Sequence, residues 1–202
     1  MRVIFLDVEG VLNTRETYER AYRLYGQTTM IDLELDMFRL GYLKQIIDET
    51  GAKIVLSSSF RYFFRKENDV VYPTSFKGKK LYDSFARYEI EIYDTTPITM
   101  GSREEQIKEW LSNRDDIESF VIIDDDANNF DELYPNLIQT STMRRNYLTS
   151  FMKESTGLCE RHIPEAIDSL NQKTKNKSNE KILLTINIKC VNMYIDEVIF
   201  IK

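Results

Sequence analysis

Apolar residues along the chain follow two periodicities, which together predict alternating strands and helices. Short apolar runs that end in polar residues are typical of buried strands, and they occur at 3–6, 53–56, 120–123 and, more briefly, 137–140. Apolar residues at helical spacing occur at 33–50, 103–112 and 156–171. Because strands that alternate with helices favour a parallel sheet, we predict a Rossmann-like α/β fold with helices on the sheet.

Two helix boundaries have specific sequence signals. Gly51 directly follows the helix predicted at 33–50 and is a natural C-cap for it. Ser102 precedes the helix predicted at 103–112, and Glu105 stands three residues later, as a capping box requires. Pro164 falls in the early part of the last predicted helix.

The region 61–101 and the C-terminal tail are less regular. The pattern predicts some helix within 61–101 and a short strand at 88–93. Residues 172–180 contain no apolar residue and are interpreted as a linker after an α/β domain at 1–171. Alternating apolar residues at 181–202 predict a β-hairpin. A hairpin alone is marginally stable in water, so we expect it to dock on the sheet edge or to form a homodimer through its strands.

Composition narrows the class of protein. The 202 residues carry a formal net charge of −6, which argues against a protein that coats nucleic acid nonspecifically. Two cysteines, Cys159 and Cys190, lack metal-binding spacing, and no apolar run is long enough to cross a membrane. We therefore predict a soluble cytoplasmic protein without a membrane partner. His162 is the only histidine, which disfavours chemistry that depends on a histidine base.

Carboxylates follow two of the predicted strands. Asp7 and Glu9 follow the first strand, and Gly10 allows a sharp turn after them. Asp124 and Asp125 follow the strand at 120–123. The carboxyl ends of parallel strands meet at one edge of the sheet, where open α/β folds bind ligands. Because carboxylate oxygens suit a hard cation, we expect Mg²⁺ there if phosphate is the substrate.

A hydroxyl group and a basic group complete the predicted site. Ser57 and Ser58 follow the strand at 53–56, and either hydroxyl can hydrogen-bond a phosphate oxygen. Arg103 begins the helix that precedes the acidic strand and is well placed to offset the phosphate charge. Lys108 competes for this role but lies more than one helical turn further along.

These motifs resemble those of the haloacid dehalogenase (HAD) superfamily of phosphatases, in the same order along the chain. The segments D-V-E-G-V-L-N, V-L-S-S-S-F-R, R-E-E-Q-I-K-E-W-L and I-I-D-D-D are more specific. They resemble the HAD domain, which has little or no cap, of the "Swiss Army knife" RNA-repair proteins. The resemblance covers about residues 1–171 and leaves the tail unexplained.

The resemblance implies a role for each matching residue. Asp7 would be the nucleophile that forms an aspartyl-phosphate, and Glu9 would act as the acid and base. The Glu9 backbone carbonyl would bind Mg²⁺ together with Asp7 and Asp124, with Asp125 as a direct or indirect ligand. Ser58, with Ser57 as the alternative, and Arg103 would hold the phosphoryl oxygens.

Glu9 departs from the family pattern, which has aspartate at this position. Both residues are carboxylic acids of similar intrinsic pKa, but the extra methylene displaces the carboxyl group. A displacement near 1 Å can cost on the order of 100-fold in rate. Two hypotheses follow: a Mg²⁺-dependent phosphomonoesterase, or a catalytically impaired HAD-like binding or regulatory module.

The substrate is expected to be a phosphorylated small molecule or a nucleotide or polynucleotide end, because a site without a cap stays open to large substrates. Basic and aromatic residues alternate over 61–88. This pattern fits either a surface that binds a single strand of nucleic acid or aromatic rings in the core with solvated charges around them. Arg61 is the strongest candidate there for substrate binding. Ser57 and Asn13, which lies in the loop after Gly10, are further candidates.

Overall fold

The computed structural model describes residues 1–14, 16, 17, 19, 22, 23, 26, 35–140 and 157–172. Its strands are β1 (Arg2–Leu6), β2 (Lys53–Leu56), β3 (Phe64–Glu67), β4 (Val70–Pro73), β5 (Ile92–Thr95), β6 (Ser119–Asp124) and β7 (Leu137–Gln139). Five of them form a parallel sheet in the order β5-β2-β1-β6-β7. This arrangement confirms the predicted α/β architecture.

Strand β1 occupies the centre of the sheet and pairs with β2 on one side and β6 on the other. Val3 and Phe5 face one hydrophobic core, whereas Ile4 and Leu6 face the other. The first core includes Trp110, whose ring meets that of Phe5 edge to face at 5.3 Å. Because both faces of β1 are covered, every residue of the run 3–6 is apolar.

In the part of the chain that the structure describes, the helices with given bounds beside the sheet are α1 (Met37–Thr50), α2 (Phe76–Ala86), α3 (Arg103–Ser112) and α4 (His162–Asn171). Helix α3 covers the face that contains Trp110, while α1 and α4 cover the other face. Gly51 ends α1 at φ 67°, which confirms it as the C-cap. Ser102 and Glu105 form the predicted capping box of α3.

Two predicted boundaries were wrong. The last helix begins at His162 and not at Thr156, and Gly157 precedes it with φ 115°, a value that no helix contains. Helix α1 begins at Met37 and not at residue 33, because the Asp36 side chain caps it by accepting the Phe38 N–H at 3.0 Å.

The region between β2 and α3 contains a hairpin that the apolar pattern did not predict. Strands β3 and β4 pair antiparallel around Asn68 and Asp69, which have φ 50° and 62°. Two adjacent residues with positive φ are typical of a tight hairpin turn, so this dipeptide was the available signal. The strand predicted at 88–93 was also misplaced, because β5 spans Ile92–Thr95.

Some predictions concern parts of the chain outside the described residues. These are the hairpin at 181–202, its dimerisation, most of the linker at 172–180, and Cys190. The division at residue 171 likewise stays a prediction. Among the described residues, no helix combines the length and apolar character needed to cross a membrane.

Candidate active site

The predicted site residues converge at the carboxyl edge of the sheet. Leu6 pairs with Leu56 of β2 and with Ile123 of β6, so the residues after these three positions begin at the same level. Asp7 donates its backbone N–H to the Ile123 carbonyl at 3.0 Å, and Ser57 donates its own to the Leu6 carbonyl at 3.0 Å. Parallel pairing alone therefore brings together Asp7, Ser57 and Asp124.

The loop after Asp7 is a tight turn held at several points. The Val8 carbonyl accepts the N–H groups of Leu12 at 2.8 Å and Asn13 at 2.9 Å. Gly10 adopts φ 79°, and its carbonyl accepts the Thr140 hydroxyl at 3.0 Å. Thr140 follows β7, so the outer strand helps to position the loop that carries Glu9.

Three carboxylates form a cluster at this edge. One oxygen from each of Asp7, Asp124 and Asp125 lies within 4.8 Å of the other two. Burial raises the pKa of all three, and the negative charge of Asp7 raises those of Asp124 and Asp125 further. The pKa of Asp124 reaches about 6. A bound cation would relieve this repulsion and desolvation, and an all-oxygen set suits Mg²⁺.

Arg103 is the basic partner of the cluster. Its Nη1 lies 3.1 Å from Asp7 Oδ1 and also contacts Asp124 Oδ2. Burial alone would lower the pKa of Arg103, but these two carboxylates raise it. Because Arg103 begins α3, the capping box at Ser102 fixes the position from which its side chain reaches the site.

Lys108, the alternative basic residue, has a different function in the structure. Its Nζ lies 2.6 Å from Glu104 and 3.0 Å from Glu132. Glu104 also accepts backbone N–H groups from the segment after the acidic strand, including that of Asp131 at 2.5 Å. Lys108 therefore ties α3 to the loop after β6 and does not enter the carboxylate cluster.

The two serines after β2 have different surroundings. The Ser58 hydroxyl accepts the Phe60 N–H at 3.3 Å as the N-cap of a 3-10 helix, Ser59–Phe63, and it hydrogen-bonds to Asp7. The Ser57 Oγ is buried and has no hydrogen-bond partner in the described part of the chain. Ser58 thus orients Asp7, and Ser57 keeps a hydroxyl available for a ligand.

Arg61 is buried beside the site. Its Nη1 donates to the Ser58 carbonyl at 2.9 Å, and its Nη2 donates to Gln106 Oε1 at 2.7 Å. Burial lowers the pKa of Arg61, and the charge of Arg103 lowers it further while that of Asp7 opposes the shift. Within the described ranges its Nε has no acceptor, so one donor remains for a ligand.

Glu9 and Asn13 flank the turn. Glu9 is half-buried and pairs with Asn13 through an isolated backbone bridge, and its carboxylate lies outside the three-aspartate cluster. Asn13 is buried, and its Oδ1 lacks a partner among the residues that the structure describes. Glu9 is predicted to act in catalysis and to bind the metal through its backbone carbonyl, and Asn13 is predicted to bind substrate. These roles stay predictions.

Comparison with models of known protein families identifies the family of this chain. The model of the family described as "HAD domain in Swiss Army Knife RNA repair proteins" matches residues 3–149, which include every candidate site residue. The chain belongs to this HAD family. Comparisons with curated proteins and with solved structures gave no match. Membership places the domain among HAD-type hydrolases, and the aspartate cluster of this HAD domain can hold a metal ion.

Gln106 is one residue of the site that the sequence did not reveal. Its Oε1 accepts from Arg61, while its Nε2 donates to the carbonyls of Thr99 at 3.1 Å and Gly101 at 3.0 Å. This side chain thereby links the 3-10 helix after β2 to the loop before α3. Gln106 is part of the motif R-E-E-Q-I-K-E-W-L, but the motif does not indicate its partner, because Arg61 and Gln106 are 45 residues apart.

Proposed function

We propose that this HAD domain is a Mg²⁺-dependent phosphomonoesterase that works through an aspartyl-phosphate on Asp7. The observation that carries the proposal is the Asp7 carboxylate, which is buried at a strand end beside the guanidinium of Arg103 and within a cluster of two further acids. An arginine paired with Asp7 favours its ionised form, which nucleophilic attack requires. The same arginine can face the phosphoryl oxygens as negative charge develops on them.

The chemistry proceeds in two displacements. An Asp7 carboxylate oxygen forms a bond to phosphorus while the ester P–O bond breaks, and Glu9 donates a proton to the leaving oxygen. Glu9, now ionised, takes a proton from water as that water attacks the aspartyl-phosphate. The acyl-phosphate P–O bond breaks, inorganic phosphate leaves, and Asp7 is regenerated.

Mg²⁺ would be held by Asp7 and Asp124, with Asp125 beside them. When bound, it supplies charge that neutralises the phosphoryl oxygens. Ser57, whose buried Oγ lacks a partner within the described segments, is the hydroxyl that we assign to a phosphoryl oxygen. Ser58 and Gln106 support the site indirectly, since they hold Asp7 and Arg61 in place.

The proposed substrates are phosphate groups at the ends of nucleotides or polynucleotides. The family name associates HAD domains of this kind with RNA repair, and this supports a nucleic-acid substrate. Arg61 supports it as well, because a second buried guanidinium next to Arg103 offers a contact beyond the reacting phosphate.

A second candidate function is that of a phosphate-binding or regulatory module without turnover. It is favoured by one observation: Glu9 replaces the usual aspartate, and its carboxylate lies outside the acidic cluster. A module of this kind would keep Ser57, Arg61 and Arg103 as anion ligands and would lack an effective proton donor.

Phosphate release with Mg²⁺ from a panel of nucleotides and from oligonucleotides phosphorylated at the 3′ or 5′ end separates the two functions. The enzyme predicts turnover that Asp7→Asn abolishes and that removal of Mg²⁺ suppresses. Equal background rates for wild type and Asp7→Asn would leave only the binding module. Glu9→Asp is expected to keep or raise the rate of phosphate release. A complete loss of activity in this variant would mean that the site is built around glutamate.

A further inference from the structure

Basic and aromatic residues between β2 and β5 divide into two groups in the structure. Phe60, Phe64 and Phe85 are buried in the core, as one interpretation of the sequence expected. Tyr62 and Phe76 are 53% and 64% exposed. Packing in the core does not explain why these two positions are aromatic, and their surroundings indicate another role.

Tyr62 adjoins the active site through Arg61. The Arg61 Cζ lies 4.9 Å from the centroid of the Tyr62 ring, and the same guanidinium donates to the Ser58 carbonyl. The Ser58 hydroxyl in turn bonds to Asp7. A continuous set of contacts therefore connects the proposed nucleophile to an exposed aromatic ring.

The start of helix α2 continues this surface. Gly78 packs so closely on the 3-10 helix that a Cβ there would lie 2.4 Å from the Phe63 carbonyl oxygen. Lys77 consequently sits with its Nζ 4.9 Å and 5.2 Å from the ring centroids of Phe60 and Phe63. Lys80 lies 5.1 Å from the ring of Phe76. Cations and aromatic rings thus alternate from Arg61 to Lys80.

The positive charge on this surface is not fully matched by acidic side chains. Lys77 has no carboxylate within ion-pair distance in the described part of the structure, whereas Lys79, one turn before Asp83, is paired with it at 2.9 Å. Exposed rings combined with cations beside a phosphate-handling site match the requirements of a single strand, whose bases stack and whose phosphates need counter-charge.

We propose that Tyr62, Phe76, Lys77 and Lys80 form a platform that binds the single-stranded nucleic acid adjoining the terminal phosphate. The inference rests on the proposed function, and it names the substrate as a phosphorylated single strand and not a free nucleotide. The base nearest the reacting phosphate stacks on Tyr62. Bases further along the strand reach Phe76, while Lys77 and Lys80 face the backbone phosphates.

The first test measures binding and does not depend on turnover. The full-length Asp7→Asn protein is titrated into fluorescein-labelled, end-phosphorylated hexanucleotides of RNA and DNA, and anisotropy gives Kd. Tyr62→Ala and Phe76→Ala are each expected to raise Kd about 5- to 150-fold, since stacking on one ring is of that strength. Lys77→Ala should lower the magnitude of the slope of log Kd against log salt by about 0.7.

Two matched variants serve as controls. Tyr134→Ala removes a tyrosine that is 55% exposed beside the amino end of β7, and Lys53→Ala removes an exposed lysine at the amino end of β2. Both lie at the opposite edge of the sheet and should leave Kd unchanged. Equal effects of Tyr62→Ala and Tyr134→Ala would overturn the platform, as would a hexanucleotide that binds no better than a mononucleotide.

The second test compares kcat/KM for a phosphorylated hexanucleotide and for p-nitrophenyl phosphate. Tyr62→Ala should raise KM for the hexanucleotide much more than it changes kcat/KM for the small substrate, which reports any effect that passes through Arg61. If neither substrate turns over but the Kd differences persist, the proposed enzyme fails and the platform stands. If both turn over and Tyr62→Ala changes them equally, the enzyme stands and the platform fails.

Discussion

A methyl group on Gly10 would lie 2.2 Å from the Cγ of Asp125. The turn after Asp7 and the loop after β6 therefore approach so closely that only a residue without a side chain fits between them. Gly10 also has φ 79°, which L side chains rarely adopt. One glycine thus satisfies two independent requirements, the direction of the turn and the position of a candidate metal ligand.

Gly10→Ala is expected to lower the free energy of unfolding by more than about 1 kcal/mol and to weaken Mg²⁺ binding, because Asp125 must move. Gly51→Ala is the matched control, since Gly51 has φ 67° and a methyl group added there would meet no atom within 4 Å. It should show the backbone cost alone, with normal Mg²⁺ affinity. Urea unfolding and calorimetric Mg²⁺ titration measure the two effects, and equal Mg²⁺ affinities in both variants would contradict the prediction.

Substitutions of the two serines after β2 are expected to have different effects, one on kcat and the other on stability. Ser57→Ala removes a buried hydroxyl that has no partner within the described residues, so stability should change little while kcat falls on the order of 100-fold. Ser58→Ala removes the cap of the 3-10 helix, at a cost of about 1 kcal/mol.

A pH profile distinguishes their roles further. The Ser58 hydroxyl lowers the pKa of Asp7 against the effect of burial, so its loss should raise that pKa. The acid limb of kcat/KM should then move to higher pH in Ser58→Ala and stay in place in Ser57→Ala. An acid limb that stays in place in Ser58→Ala would show that the Ser58 hydroxyl does not lower the pKa of Asp7.

The sequence was sufficient to predict which strand ends meet at the candidate site. Apolar runs that stop at Asp7, Ser57 and Asp124 identify three carboxyl ends, and parallel pairing then brings them together without further information. It did not decide between Ser57 and Ser58, because adjacent residues beyond a strand end are oriented by the next element of the chain, here the 3-10 helix that Ser58 caps.

The choice between Arg103 and Lys108 also required the fold. Both are basic residues of the same helix, and the contacts of Lys108 with Glu104 and Glu132 show that it binds elsewhere. The hairpin β3–β4 was missed for another reason: its strands have mixed burial and no clear alternation, and only the turn at Asn68 and Asp69 marks it. A contact with a distant segment accounts for the first gap, and the weak periodicity of two short neighbouring strands accounts for the second.

Arg103 and Lys108 form a matched pair for mutagenesis. Arg103→Met removes the positive charge that contacts both Asp7 and Asp124, so kcat should fall on the order of 100-fold. Lys108→Met breaks a partly exposed bridge to Glu104 and should cost about 1 kcal/mol in the free energy of unfolding, with activity retained. Phosphate release and urea unfolding measure both variants. A larger loss of activity in Lys108→Met than in Arg103→Met would reverse the assignment.

His162 is expected to make stability depend on pH through a backbone hydrogen bond. The Cys159 N–H donates to His162 Nδ1 at 3.1 Å, which requires an unprotonated nitrogen. Burial lowers the pKa of His162, and the charge of Arg161 lowers it further. The pKa of histidine in an unfolded chain is about 6.5, so below that pH the unfolded chain binds more protons than the folded one. The free energy of unfolding should therefore fall as the pH drops from about 6.5 through the lower pKa of the folded state.

The comparison of wild type with His162→Asn isolates this contribution, because asparagine keeps an acceptor near Nδ1 but does not titrate. Carboxylates with raised pKa, such as Asp124 at about 6, act in the opposite direction, since their protonation at low pH favours the folded state. They are common to both proteins and cancel in the difference. Urea unfolding at about pH 7.5 and about pH 5.5 should show that the wild type loses more stability than the variant on acidification. A difference that is the same at both pH values would mean that the buried imidazole is protonated as easily in the folded protein as in the unfolded chain.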